Sequence, residues 1–191
     1  MLTAKYIDTN EEVDITKIDN PRETIDKNRL CCKLCNGRVS IKDGMLRAKH
    51  FFHISDCTSD FEKHPESPQH NLGKELVGKH LKEYWKEYSN AEVRFEFPVP
   101  EVKRIIDIAI LFPNGWVVAH EIQLSSITTE TLEKRTNDYR DLGIDTFWWL
   151  GKSADSKANR EWAIEKFGQS LSIDYELLNS EIKNLQKGKE I

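Results

Sequence analysis

The chain has no apolar run near the roughly 18 residues that a membrane-spanning helix requires, and no charged-then-apolar secretory leader at its start. These two absences make a cytoplasmic protein with no membrane partner the expectation. Positive charge is also in short supply: 28 lysines and arginines against 32 acids give a net charge of -4 and a pI near 5.9. Such a balance lacks the overall basic field of a typical nucleic-acid-binding domain, although it leaves room for a local basic surface. Internal repeats and low-complexity segments are missing as well, which excludes a repeat array. Cysteine is sparse and confined: Cys31, Cys32, Cys35 and Cys57 are the only four, all within 27 positions. In a chain without a leader, that clustering points to a metal site before disulfides.

What is present suits one ordinary domain with a small appended module, since 191 residues with 38% hydrophobic content and a mean hydropathy of -0.62 describe a soluble chain with a modest core. Residues 1 to about 28 are polar, with short alternating pieces in "AKYID" and "VDITKI" that suit an edge hairpin. Residues 29–70 hold every cysteine and four of the six histidines. From residue 68 the pattern becomes regular. "SPQHNLGKELVGKHLKEYWKEY" repeats apolar residues at helical spacing behind Pro68. Next come a strand in "EVRFEFPV", two strands around Pro113-Asn114-Gly115, a helix in "TTETLEKRTNDYRDLG" ended by Gly143, and a short buried strand in "DTFWWLG". A helix around "KANREWAIEKFG" and a charged C-terminal tail complete the chain. The order helix, strand, strand, strand, helix, strand predicts an α/β sheet covered by helices. The expected division is an N-terminal region over residues 1–67, with its metal module at about 29–58, and a second domain over 68–191.

The central hairpin carries an unusual load for a buried element. Alternation puts Asp107, Ala109 and Leu111 on one face of the first strand, and Val117, Ala119, Glu121 and Gln123 on one face of the second. If Pro113-Asn114-Gly115 is a three-residue loop with Gly115 in the left-handed region, Phe112 pairs with Trp116 and Asp107 lies opposite Glu121. A two-residue Asn-Gly loop would instead put the acids on different faces. Facing carboxylates repel, and a divalent cation between them would cancel that repulsion. Pairing with Arg104, Lys103 or Arg135 is the other way to balance them.

Cys32-x2-Cys35 has the knuckle spacing that lets two thiolates hold one tetrahedral zinc, and "HFFHISDC" offers His50, His53 and Cys57. The expected ligands are Cys32, Cys35, His53 and Cys57, with His50 the main alternative, His70 a spare and Cys31 a neighbour. A closed Cys/His shell leaves no position for water, so this Zn²⁺ would be structural. Lys33, Arg38, Lys42, Arg47 and Lys49 crowd the same module and offer either phosphate contacts or a solvated charged face. His120 points away from the Glu121 face and reads as a satisfied core histidine; Trp148 and Trp149 read as core.

A carboxylate in one strand followed by Glu-x-Gln in the next resembles the PD-(D/E)XK nuclease superfamily, in which Asp and Glu hold Mg²⁺ and a lysine usually stands where this chain has Gln123. Glutamine can orient a water or a phosphate but brings no charge. Taken in order, "CKLCNGRV", "KHFFHISDC", "ESPQHNLGK", "RIIDIAI", "HEIQLSSIT" and "RTNDYRDLGIDTFWWL" resemble the CoiA-type competence protein family over roughly residues 29–151. That resemblance implies a restriction-endonuclease-like core, a mixed sheet flanked by helices, behind a small zinc-binding module. It implies Asp107, Glu121 and Gln123 as the central triad with Mg²⁺ or Mn²⁺, and Arg135 and Tyr139 as accessory residues on one face of the following helix. The superfamily often adds a glutamate from the helix before the sheet, for which Glu75 and Glu66 are the candidates. The implied activity is metal-dependent cleavage of DNA, in competence, repair or defence, with protein partners in DNA processing; the competing class is a nuclease-fold binding module with little catalysis.

Overall fold

The computed structural model describes residues 1–43, 49–61 and 66–187. Arg47 of the basic crowd and the last residues of the C-terminal tail lie outside them. The N-terminal region opens with β1 (Thr3–Tyr6) and β2 (Glu12–Asp14), the expected hairpin. There follow the short helix α1 (Pro21–Thr24) and three small strands, β3 (Leu30–Cys31), β4 (Val39–Lys42) and β5 (His50–His53). β3 joins the first hairpin, and β4 pairs antiparallel with β5.

Helix α2 (Pro68–Tyr84) starts where Ser67 caps it, the serine side chain accepting from the His70 amide, with Pro68 at the first position, where a missing N–H costs nothing. The remaining elements are β6 (Glu92–Val99), β7 (Arg104–Leu111), β8 (Val117–Gln123), α3 (Thr129–Arg140), β9 (Asp145–Leu150), α4 (Lys157–Phe167), β10 (Leu171–Ser172) and α5 (Tyr175–Lys187). The five-stranded sheet runs β10-β9-β8-β7-β6. The β6, β7 and β8 pairs are antiparallel, while β9 and β10 are added in parallel through α3 and α4. This is the mixed α/β sheet flanked by helices that the sequence predicts. No helix among the described residues is long and apolar enough to cross a membrane.

Two elements depart from expectation. The charged C-terminal stretch is not an open tail: it forms α5, which buries Leu178 and joins α2 through a Gln69–Asn179 side-chain hydrogen bond of 3.2 Å. β10, a two-residue edge strand, was too short to show in the sequence pattern.

The N-terminal region does not carry a core of its own. Leu2, Ile15, Leu30, Val39 and Phe51 pack in one cluster with Val77 and Leu81 of α2 and with Ile108, Ile110, Val118 and Ile122 of the sheet. The other face of the sheet is covered by α3, whose Leu132 and Tyr139 are fully buried. α2 sits so close to β6 that a β-carbon on Gly78 would come within 2.8 Å of the Phe95 ring. Both the helix and the phenylalanine are fixed by the shared core. Gly78→Ala is therefore expected to lower unfolding free energy by roughly 1–3 kcal/mol, the cost of overpacking a filled core, as read by urea denaturation.

Candidate functional site

The hairpin has the three-residue loop. Phe112 donates its amide to the Trp116 carbonyl at 2.9 Å, and Gly115 takes φ +86°. From there the ladder runs Leu111↔Val117 through Ile108↔His120, a register that brings Asp107 level with Glu121. The ladder stops one pair short of the acids. Instead of continuing backbone pairing, Asp107 turns its carboxylate into the gap, where Oδ2 accepts from the Ile122 amide at 2.9 Å. His70, one turn into α2, brings Nε2 to 3.2 Å from the same oxygen and 3.1 Å from the Ile122 carbonyl oxygen. Both partners only accept, so Nε2 carries the proton and donates to the pair. The other ring nitrogen, Nδ1, is buried with no hydrogen-bond partner among the described residues. Burial alone would raise the Asp107 pKa, but the His70 charge and hydrogen bond, the Lys74 charge and the Ile122 amide hold it down at about 2. His70 is raised in return: burial opposes its charge and Asp107 overcomes that.

Glu121 belongs to a different set of contacts. Arg135 Nη2 donates to Oε2 at 2.8 Å and the Tyr139 hydroxyl to Oε1 at 2.9 Å. These two residues share a face of α3, and Arg135 also lies over the Trp148 ring at 4.9 Å. Glu121 is only 1% exposed. Burial pushes its carboxyl up to about 7, with Asp107 adding to the rise and Arg135 and Tyr139 pulling the other way. The level register of the acids and the pairing of Glu121 with Arg135 thus coexist.

Gln123 is half-buried beyond Glu121 and donates its amide NH₂ to the Ser125 carbonyl and hydroxyl at 2.8 and 2.9 Å, so its carbonyl oxygen is the atom left to accept. Glu75 does not reach this place. The charged groups that act on it are Lys49, Asp14 and Lys79, so it looks toward the N-terminal region, one residue out of phase with the helix face that carries His70 and Lys74. His120 is a core histidine as expected. Trp149 Nε1 donates to Nδ1 at 3.0 Å, so Nε2 bears the proton toward the Tyr88 hydroxyl, and burial drops its pKa to about 3.

Behind Asp107 lies a cluster that sequence reasoning missed. Lys74 is fully buried, with Nζ 2.7 Å from Glu96 and 2.5 Å from Glu66. The one signal available is the helical spacing of Glu66, His70 and Lys74, at every fourth residue of "ESPQHNLGK".

In the N-terminal module the ligand atoms of Cys32, Cys35, His53 and Cys57 lie within 4.8 Å of one another, a set that could hold a metal ion such as zinc. The fit is supported by the knuckle backbone, where the Leu34 amide donates to Cys32 Sγ at 3.4 Å and the Gly37 amide to Cys35 Sγ at 3.3 Å. Burial opposes a thiolate at Cys35, yet the Gly37 and Thr58 amides and His53 bring it down to about 6. His50, Cys31 and His70 are not in this group. Of the basic crowd, Lys33 bonds Glu12 and the Glu96 carbonyl, Lys49 bonds the Ile18 carbonyl and Lys42 lies over Phe52, while Arg38 is exposed.

A cleft of about 660 Å³ separates the module from the sheet. His53, Cys57 and Phe52 line one wall, and His70, Asp107, Ile122, Gln123 and Arg135 the other; Glu121 lies behind Arg135 and does not line it.

The mixed sheet flanked by helices, with a Cys/His cluster in the N-terminal region, is the fold of a nuclease-like domain. The model of the family "Competence protein CoiA, nuclease-like domain" matches residues 66–182, more than half of the chain, and the chain belongs to that family. Competence protein CoiA of Bacillus subtilis (strain 168) is 25% identical over 131 residues, which are 69% of this chain and 34% of that protein, so the chain spans about a third of its relative's length. A solved structure, a repair endonuclease from Pyrococcus abyssi, is 16% identical, with a TM-score of 0.35 over 58% of this chain and 49% of that one.

Removing Arg135 would leave a buried carboxylate unpaired. Arg135→Ala is expected to cost roughly 3–5 kcal/mol of stability. The loss has a pH sign. Glu121 ionises at about 7 in the folded wild type and higher still without its partner, while both unfolded chains ionise near the ordinary 4.5, so the linkage is common to the two proteins below about 7 and the deficit grows as pH rises above it. Denaturation of both proteins across that range measures it.

Proposed function

We propose that this protein is a Mg²⁺- or Mn²⁺-dependent nuclease acting on DNA, with a structural Zn²⁺ in its N-terminal module. Membership of a nuclease-like family supports the reading, and the observation that carries it is an ionised Asp107 at the mouth of the cleft, level with Glu121 across the hairpin. Bound at that face, the cation would activate a water and offset charge developing on the scissile phosphate. Asp107, held ionised by His70 and the Ile122 amide, is the primary anchor for it. Gln123 has its NH₂ occupied by Ser125, so its carbonyl oxygen is the group that can accept from the attacking water. Arg135 faces the cleft with a guanidinium next to where a phosphate would lie.

A second reading is a nuclease-fold DNA-binding or interaction module with weak catalysis. It is favoured by Gln123 where a lysine is usual, and by the engagement of both Glu121 oxygens by Arg135 and Tyr139. Metal binding with cleavage separates the two. On single-stranded, duplex and branched DNA, Asp107→Ala and Glu121→Ala should abolish Mg²⁺- or Mn²⁺-dependent cutting, and Gln123→Ala should slow it while metal still binds. Wild-type protein that binds a cation and DNA yet cuts none of these substrates establishes the second reading instead.

The zinc has its own test. Metal binding and folding are coupled where a small polar segment closes around the ion. Cys35→Ser is thus expected to lose zinc by elemental analysis and to melt at lower temperature. Reduced wild-type protein purified without any zinc would refute the assignment.

A further inference from the structure

We infer that His70 is a ligand of the divalent cation, forming the seat together with the Asp107 carboxylate and the Ile122 carbonyl oxygen. This rests on the metal-dependent reading above and deepens it: the helix before the sheet contributes an imidazole nitrogen, not a glutamate, and the seat prefers a transition cation to Mg²⁺.

The spacing is the first argument. Ligands held at about 2.1 Å in octahedral geometry stand roughly 3.0 Å from their neighbours. His70 Nε2 is 3.2 Å from Asp107 Oδ2 and 3.1 Å from the Ile122 oxygen, so the nitrogen, on α2, already stands at that separation from a donor oxygen on each strand of the hairpin. One oxygen is anionic and the other is a carbonyl, and what lies between them and the nitrogen is a proton. A cation entering the seat forms a bond to Nε2 as the Nε2–H bond breaks. On a neutral ring the proton goes to Nδ1, through water, and on a charged ring it leaves to solvent.

Accessibility is the second argument. His70, Asp107 and Ile122 all line the cleft, whereas Glu121 is behind Arg135 with both oxygens bonded. A cation arriving from solvent meets the first three without breaking the buried pair. The unpartnered Nδ1 is the third. A histidine serving only to orient Asp107 would gain from a partner on its second nitrogen. His70 has none, so the tautomer is free to change when the cation arrives. Imidazole suits first-row ions such as Fe²⁺, Ni²⁺ and Zn²⁺, whereas Mg²⁺ favours oxygen, which gives the preference for a transition cation; Mn²⁺, the weakest of that series, is the paramagnetic member that reports on a nitrogen ligand.

The test uses the full chain with its Cys/His module loaded with zinc, Mn²⁺ as the probe, and electron spin-echo spectroscopy beside a titration of affinity. Wild-type protein should bind one further Mn²⁺ showing coupling to a nitrogen-14 nucleus, more tightly than it binds Mg²⁺. In His70→Gln, which keeps a hydrogen-bond donor, the nitrogen coupling should vanish and Mn²⁺ should weaken by roughly 10- to 100-fold, with Mg²⁺ much less affected. If Mn²⁺ binds without nitrogen coupling, is unchanged in His70→Gln and is lost in Asp107→Ala, the inference fails while the metal-dependent reading stands. Coupling that persists in His70→Gln assigns the nitrogen elsewhere and also overturns the inference. If the wild type binds no additional Mn²⁺, both fall together.

Discussion

The buried ion pair of Lys74 and Glu96 is the contact on which the rest of the structure depends. Lys74 comes from α2, and Glu96 from β6, at a position where the backbone takes φ +53°. Glu96 Oε1 also accepts from the Leu2 amide at 2.7 Å, and Oε2 from the Thr3 amide and hydroxyl at 3.0 and 2.8 Å. One carboxylate therefore joins the first strand of the N-terminal region, the helix and the sheet. Burial disfavours charge on both groups, yet Lys74 is raised and Glu96 lowered, because each supplies the other's counter-charge and the amides satisfy the remaining lone pairs. An uncompensated charge here would be intolerable, so the three parts can close only together.

That closure fixes the candidate site. Lys74 lies one helical turn after His70, so holding it against Glu96 sets the rotation of α2 and brings the imidazole over the end of the β7–β8 ladder. The same contact sets the N-terminal module across the cleft from Asp107. A module that shares its apolar cluster with the sheet and its polar anchor with α2 acts as a wall of the cleft more than as an appendage.

What could be read in the sequence follows from what pattern reasoning weighs. The hairpin register was legible because Pro-Asn-Gly has few ways to turn and alternation does the rest, and the Cys/His set was legible because two thiolates on a knuckle have two residues between them. Glu96 and Lys74 were not, since charged residues count as surface in any periodicity argument; in the alternating "EVRFEFPV" Glu96 falls in phase with Glu92 and Arg94 and reads as solvent-facing. Glu75 was a candidate for its chemistry and His70 was not, although helical phase puts His70 and Lys74 on one face of α2 and Glu75 off it. The C-terminal charges hid Leu178, Ile182 and Leu185, whose spacing is helical.

The two acids of the hairpin meet the problem of like charge in a way that composition alone does not suggest. Opposed carboxylates at a cross-strand pair repel, and a cation is one remedy. Here each acid has its own basic partner from a different helix, His70 from α2 for Asp107 and Arg135 from α3 for Glu121. The outcome is asymmetric. Asp107 stays ionised and faces the cleft, whereas burial and the neighbouring charge of Asp107 lift Glu121 toward neutrality. The positive charge next to the second acid comes from the α3 guanidinium of Arg135, in direct contact with it. Gln123 is left free of an electrostatic role, which is why an uncharged amide fits there without leaving the acids unbalanced.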